Sequence, residues 1–137
     1  MVRVVGLDLG SRRIGVAVSS GTVATPHSVL ERAADQAADH AAIAALVDEL
    51  GAERVVVGLP LSLDGKMGPA ARAAASEAEA LGDVLAVPVE TYDERLTTVT
   101  ADRSLSTLGV KGQARRRVVD KVAAAVMLQA WLDRSSS

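Results

Sequence analysis

The chain opens on a run of apolar residues, Val4-Val5-Gly6-Leu7, that meets Asp8 and continues as Leu9-Gly10. Near-continuous apolar character over residues 2–9 predicts a strand buried on both faces. Arg13-Ile14-Gly15-Val16-Ala17-Val18-Ser19 predicts a second strand, and Gly10-Ser11-Arg12 between them is too short for anything but a hairpin. These two strands are therefore expected to be antiparallel. A third strand is expected over residues 22–30, where Pro26 cannot donate to a ladder and so implies a sheet edge or a bulge. Alanine-rich residues 33–50 have helical composition and stop at Gly51, a residue suited to the left-handed conformation after a helix.

Strands and helices alternate from there on. Residues 54–58 read as a strand, and residues 59–68 as a loop. Pro69 sits where a first helical turn accepts it, with Gly82 placed to end that helix. Residues 84–92 predict a further strand, residues 97–108 a helix with Thr97 at its N-cap, and residues 113–134 the last and longest helix. The order β-β-β-α-β-α-β-α-α describes an α/β fold: a mixed five-stranded sheet, antiparallel in its first half and parallel in its second, with helices on both faces. Residues 1–134 are expected to form one domain, with Ser135-Ser136-Ser137 as a frayed tail.

Charge changes the picture once it is divided along the chain. Residues 1–30 carry 3 bases and 1 acid, residues 31–94 carry 4 and 13, and residues 95–137 carry 8 and 3. Basic ends around an acidic middle are the footprint of a polyanion partner if the fold joins them. Tyr92 and Trp131 are the only aromatic residues, so base-stacking platforms are excluded in number and a nucleic acid would be held by backbone and shape. There is no cysteine, which excludes disulfides, thiolate zinc sites and thiol nucleophiles, and fits a reducing, cytoplasmic setting. The N-terminal apolar stretch is too short for a signal peptide or a membrane span, so no membrane partner is expected.

Three acidic positions carry the candidate chemistry. Asp8 lies in an otherwise apolar strand, where a buried charge needs a compensating cation. Asp93-Glu94 ends the strand over residues 84–92, at the carboxyl end where parallel sheets collect functional groups. One of the two should face the site; Glu94 is preferred and Asp93 is the alternative. Asp120 on the last helix shares a face with Ala123, Ala124 and Met127, small enough neighbours for close approach to the sheet. A surface ion pair with Arg116 or Arg117 is its competing explanation. Oxygen ligands alone suit Mg2+ or Mn2+ rather than zinc, and a pair of such ions would serve in-line phosphodiester displacement with no side-chain nucleophile and no organic cofactor. Neither His27 nor His40 forms a dyad with a serine, and both are expected in surface roles. Arg12, Arg13, Arg95, Lys111, Arg115, Arg116 and Arg117 lie close in sequence to the three acids and are the candidate phosphate contacts.

Five segments, Gly6-Leu7-Asp8-Leu9-Gly10-Ser11-Arg12-Arg13-Ile14-Gly15-Val16-Ala17, Val56-Val57-Gly58-Leu59-Pro60-Leu61, Asp64-Gly65, Asp93-Glu94-Arg95-Leu96-Thr97-Thr98 and Val119-Asp120-Lys121-Val122-Ala123-Ala124, together resemble the YqgF/RuvX family. The resemblance spans essentially the whole chain in order. It implies a ribonuclease H-like fold, a divalent-metal nuclease site, and 5′-end maturation of the small-subunit ribosomal RNA precursor, with Holliday junction resolution as the other activity attributed to such proteins. The family's acids fall on Asp8, on Asp93-Glu94 and on Asp120. Ser20 and His27 depart from the family, many of whose members carry Asp and Leu there.

Other readings predict other behaviour. The Asp-x-Gly turn also resembles the phosphate loop of actin-like and sugar-kinase ATPases, which need a second domain to close over nucleotide. A non-catalytic RNA-binding module for ribosome assembly would tolerate Asp8→Asn. A structured RNA precursor and a branched DNA are both polyanions read by shape, and either a monomer or a homodimer is compatible with the sequence.

Overall fold

Three strands in succession, each linked to the next by a short turn, build one half of a five-stranded sheet: β1 (Val4–Leu9), β2 (Arg13–Ser20) and β3 (Val23–Glu31). Helix α1 (Gln36–Leu50) then leads to β4 (Arg54–Leu59), α2 (Pro69–Val84) to β5 (Val89–Asp93), and α3 (Gly112–Arg134) closes the chain. The computed structural model describes residues 2–60, 66–93 and 112–134, with side chains in the last stretch from residue 118 onward. The helix expected over residues 97–108 and the tail at 135–137 lie outside the described residues.

The sheet order is β3-β2-β1-β4-β5. β1 pairs antiparallel with β2, Asp8 lying opposite Gly15, and β2 pairs antiparallel with β3. β4 runs parallel to both β1 and β5. Pro26 has both of the consequences expected of it: β3 is an edge strand, and the register slips between Val16 and Ala17 so that His27 is passed over. A missing N–H is least costly where a ladder is one-sided or already interrupted.

Strand alternation divides the core into two layers. Val5 and Leu7 of β1, Ile14 and Val16 of β2, and Val55 and Val57 of β4 face Ile43 and Val47 of α1 and Ala78 and Leu81 of α2. On the opposite face Val4, Ala17 and Val56 pack against Ala124, Met127 and Leu128 of α3. At its C-terminal end α3 is tied to the sheet through Glu90, which accepts hydrogen bonds from Trp131 Nε1, Arg54 and Arg134. Among the described residues no helix is long and apolar enough to cross a membrane.

Three expected boundaries move. α1 starts at Gln36 rather than residue 33, because Asp35 caps it through Ala37 N–H while Asp39 captures the Ala33 N–H. Its end at Gly51, with φ 65°, is as expected. α2 runs through Gly82 to Val84, its last turn closed by Leu85 N–H donating to the Leu81 carbonyl. Residues 84–88 are therefore not strand, and β5 begins only at Val89, after Pro88 has contributed its carbonyl to Val55 N–H. A single glycine lowers helix propensity by about 1 kcal/mol, which the burial of Leu81 and Ala78 readily offsets.

Candidate active site

Asp8 is the next-to-last residue of β1 and shares its face with Val4 and Gly6, the face that α3 covers. Gly15 lies directly across the ladder from it. A side chain built on Gly15 would place Cβ 2.0 Å from the Asp120 carbonyl oxygen, so the helix occupies the volume that any other residue would fill. Gly6 makes similar room further along the helix, where a Cβ would lie 2.9 Å from Leu128 Cβ. Two glycines in buried strands thus let α3 lie against bare backbone, and they seat Asp120 beside Asp8. The small buried face Ala123, Ala124 and Met127 expected of this helix supports the approach.

The electrostatics of the two acids differ. Asp8 is raised from its ordinary 3.8 to about 6, first by burial and then by the negative charge of Asp120. Asp120 accepts a hydrogen bond from Arg13 Nε at 2.6 Å, with the two side chains only 16% and 24% exposed. That ion pair spans 107 residues of sequence; the side chains of Arg116 and Arg117, the competing partners read from sequence, lie outside the described residues. Arg13 is raised in turn, chiefly by that same hydrogen bond. Arg12, the preceding residue, is exposed.

Asp93 ends β5 level with Leu59 of β4. Paired residues of parallel strands share a face, so Asp93 takes the parity of Val89 and Thr91, toward α2, and not that of Glu90 and Tyr92, toward α3. Asp8 is on the other side. Glu94 and Arg95 lie outside the described residues, as do Lys111 and the side chains of Arg115, Arg116 and Arg117. Among the described residues no group of three His, Cys, Asp or Glu side chains is assembled as a metal site; the acids brought together are Asp8 and Asp120.

Two carboxylates that repel each other in a half-buried setting, with oxygen donors only, fit a hard divalent cation. Asp8 and Asp120 are the residues that would hold it.

His40 is a correction to the reading from sequence. It is 4% exposed and its Nε2 donates to Glu77 Oε2 at 3.0 Å, in a buried cluster with Arg32 and Asp39 on the α1/α2 face. His27 is exposed as expected and bonds only to the neighbouring Ser28 hydroxyl among described contacts. Sequence reasoning also misses the role of Gly15, although a glycine inside a strand pattern is a signal of close backbone approach.

Residues 2–134 match the family model described as RuvX, Holliday junction resolvase. A Myxococcus xanthus protein named "Putative pre-16S rRNA nuclease" is 46% identical over 133 residues, covering 96% of this chain and 88% of its own length. A relative of the same name from Anaeromyxobacter dehalogenans is 45% identical, covering 97% and 98%. Among solved structures, Thermus thermophilus RuvC in complex with a Holliday junction substrate superimposes with a TM-score of 0.60 at 18% identity, covering 98% of this chain and 96% of that one. That likeness shows the ribonuclease H-like fold.

Proposed function

This chain belongs to the RuvX Holliday junction resolvase family, and on that premise we propose that it is a cytoplasmic, divalent-cation-dependent endonuclease that processes the 5′ end of pre-16S rRNA. The observation that carries the proposal is the seating of Asp120 across Gly15 from a half-buried Asp8 whose carboxyl is pushed up to about 6. Arg13 compensates Asp120, and the raised Asp8 beside it is the charge that a bound cation would compensate. Asp8 and Asp120 are two of its ligands, and Glu94, the residue that follows β5 in sequence, is the third. The relatives' shared name favours an RNA precursor as substrate.

A pair of Mg2+ or Mn2+ ions held by these residues would supply charge neutralisation at the scissile phosphate and lower the pKa of a water nucleophile. The protein's own role is positional. Arg13 holds one oxygen of Asp120 and fixes that side chain's rotamer against the sheet. Arg12 on the adjoining turn is exposed and offers a bidentate guanidinium to backbone phosphate; Arg95, Lys111, Arg115, Arg116 and Arg117 are the further candidates for such contacts in the sequence. Phosphate contacts of this kind give affinity that falls steeply with salt. A monomer suffices to trim an RNA end, whereas resolving a four-way junction calls for a two-fold dimer.

The test is cleavage of a precursor RNA carrying the 5′ leader and of a four-way DNA junction, each with Mn2+, by wild type, Asp8→Asn and Asp120→Asn. The RNA should be cut by wild type and by neither variant. Cleavage of the junction alone, by a protein that sediments as a dimer, transfers the proposal to DNA; variants that cut as well as wild type remove the nuclease reading altogether.

A further inference from the structure

On the face of the sheet away from Asp120, directly beneath the turn that follows Asp8, four charged or polar side chains are packed together. Arg32 makes a two-pronged pair with Glu77 of α2, at 2.6 and 2.8 Å, and reaches Asp39 of α1 at 3.2 Å. His40 donates to the same Glu77 at 3.0 Å. Glu77, Asp39 and His40 are all under 9% exposed.

Such a cluster is a weak source of stability. Desolvating an arginine and two carboxylates costs several kcal/mol per ion in general, and well-packed apolar residues of similar volume often serve as well or better. Its geometry offers a different reason. The Nε of Arg32 donates to the Gly10 carbonyl at 2.9 Å, and the Arg32 backbone N–H donates to the Arg12 carbonyl at 2.9 Å. One residue therefore grips both ends of Gly10-Ser11-Arg12, the turn that joins Asp8 to Arg13. The turn's remaining closure is a single N–H, that of Gly10, shared between the Asp8 and Arg13 carbonyls at 3.1 and 3.0 Å.

The geometry points to Arg32 as a positioning residue for the metal-binding acid: held from below by Glu77, Asp39 and His40, it fixes the Gly10–Arg12 turn and through it the relative placement of Asp8 and of Arg13, the partner of Asp120. The inference rests on the nuclease reading for its functional meaning, while the anchoring itself does not depend on it. Arginine is suited to the task because its planar fork satisfies two carboxylates and a carbonyl at once; a lysine ammonium at the same place is a single point charge that cannot span all three. Residues that hold metal ligands in place from behind are commonly worth about 10- to 100-fold in affinity or activity.

The experiment compares wild type, Arg32→Lys and Glu77→Gln, all full-length, by amide hydrogen exchange and by Mn2+ titration followed by electron paramagnetic resonance. Arg32→Lys keeps the charge and Glu77→Gln keeps the volume, so a fold lost in one leaves the other to decide. The expected result is exchange at the Gly10 and Arg32 amides faster by at least about tenfold beyond any rise shared by the β1–β4 amides, and Mn2+ affinity weaker by about 10-fold or more. Unchanged exchange at the turn overturns the proposal, as does unchanged Mn2+ affinity, and so does exchange that rises uniformly across the sheet, which marks the cluster as bulk stabilisation. A wild type that binds Mn2+ and cuts no nucleic acid sinks the nuclease reading and leaves this one to be decided by exchange and affinity; a wild type that binds no Mn2+ overturns both.

Discussion

Two groups of carboxylates sit at the same end of one sheet, on opposite faces, and their surroundings treat them in opposite ways. On the α1/α2 face, burial alone would push Glu77 up, but hydrogen bonds from Arg32 and His40 outweigh it and hold the carboxyl below its ordinary value. On the α3 face, burial raises Asp8 to about 6 and Asp120 adds to the effect instead of relieving it. Both carboxylates of the first group are relieved by their partners; in the second, Arg13 pairs with Asp120 while the Asp8 carboxyl stays raised. Perturbed carboxyls of the second kind cluster at functional sites, because they cost the folded chain stability of its own.

The comparison breaks most visibly at Asp8. Asp8→Asn removes a proposed ligand and, with it, the repulsion from Asp120. Cleavage is expected to fall about 10³-fold, while metal-free stability at pH 7 rises, by at most about 3 kcal/mol for a shift of this size. Urea denaturation in EDTA alongside the cleavage assay checks both, and a variant that is inactive but less stable than wild type contradicts the reading of the pair.

Glu77→Ala makes the converse cut. It leaves Arg32 and His40 buried without the carboxylate both of them bond, and is expected to destabilise the protein by about 3 kcal/mol. Thermal unfolding reads it, and a change under about 1 kcal/mol would mean that water or Asp39 takes over the role.

Gly15→Ala attacks the seating of Asp120 itself. With the helix carbonyl where Cβ must go, α3 has to lift or slide. The expected cost is about 2 kcal/mol of stability and about 10² in cleavage rate, since displacements near about 1 Å suffice for such losses. A matched control is Gly51→Ala, strained by its φ of 65° and with nothing within 4 Å of the added carbon, which should cost about 1 kcal/mol and leave the specific rate of the folded protein unchanged.

The pH slopes sharpen the contrast by sign. Because Asp8 is raised in the folded state, the native protein binds its proton more readily than the unfolded chain. Its contribution to metal-free stability therefore falls as pH rises from 3.8 to about 6 and is level above that. Glu77 is lowered, so its contribution is present above its ordinary 4.5 and is lost as pH falls through the folded value. Subtracting the stability curves of Asp8→Asn and Glu77→Gln from wild type should give slopes of opposite sign; like signs would show that one carboxyl is misassigned.

Much of this molecule is determined locally. The Gly10-Ser11-Arg12 linker imposes a hairpin because three residues cannot make a crossover, Pro26 enforces an edge and a slipped register because it has no N–H to give, and Gly51 ends α1 in the left-handed conformation. Asp8 stands out in sequence for the same kind of reason, as a charge in an apolar strand. Tertiary structure alone decided who stands next to whom. Asp120 reaches Arg13 across 107 residues and Arg32 reaches Glu77 across 45, distances at which periodicity carries no information. His40, polar and set in an alanine-rich helix, has the local pattern of a surface residue and is buried only because Glu77 of another helix faces it. Likewise Gly82 permits a helix end, but packing of Leu81 carries α2 on to Val84. Local chemistry writes the elements; the match between a buried charge and its remote partner is settled only when the layers close, because only then is water removed and a partner required.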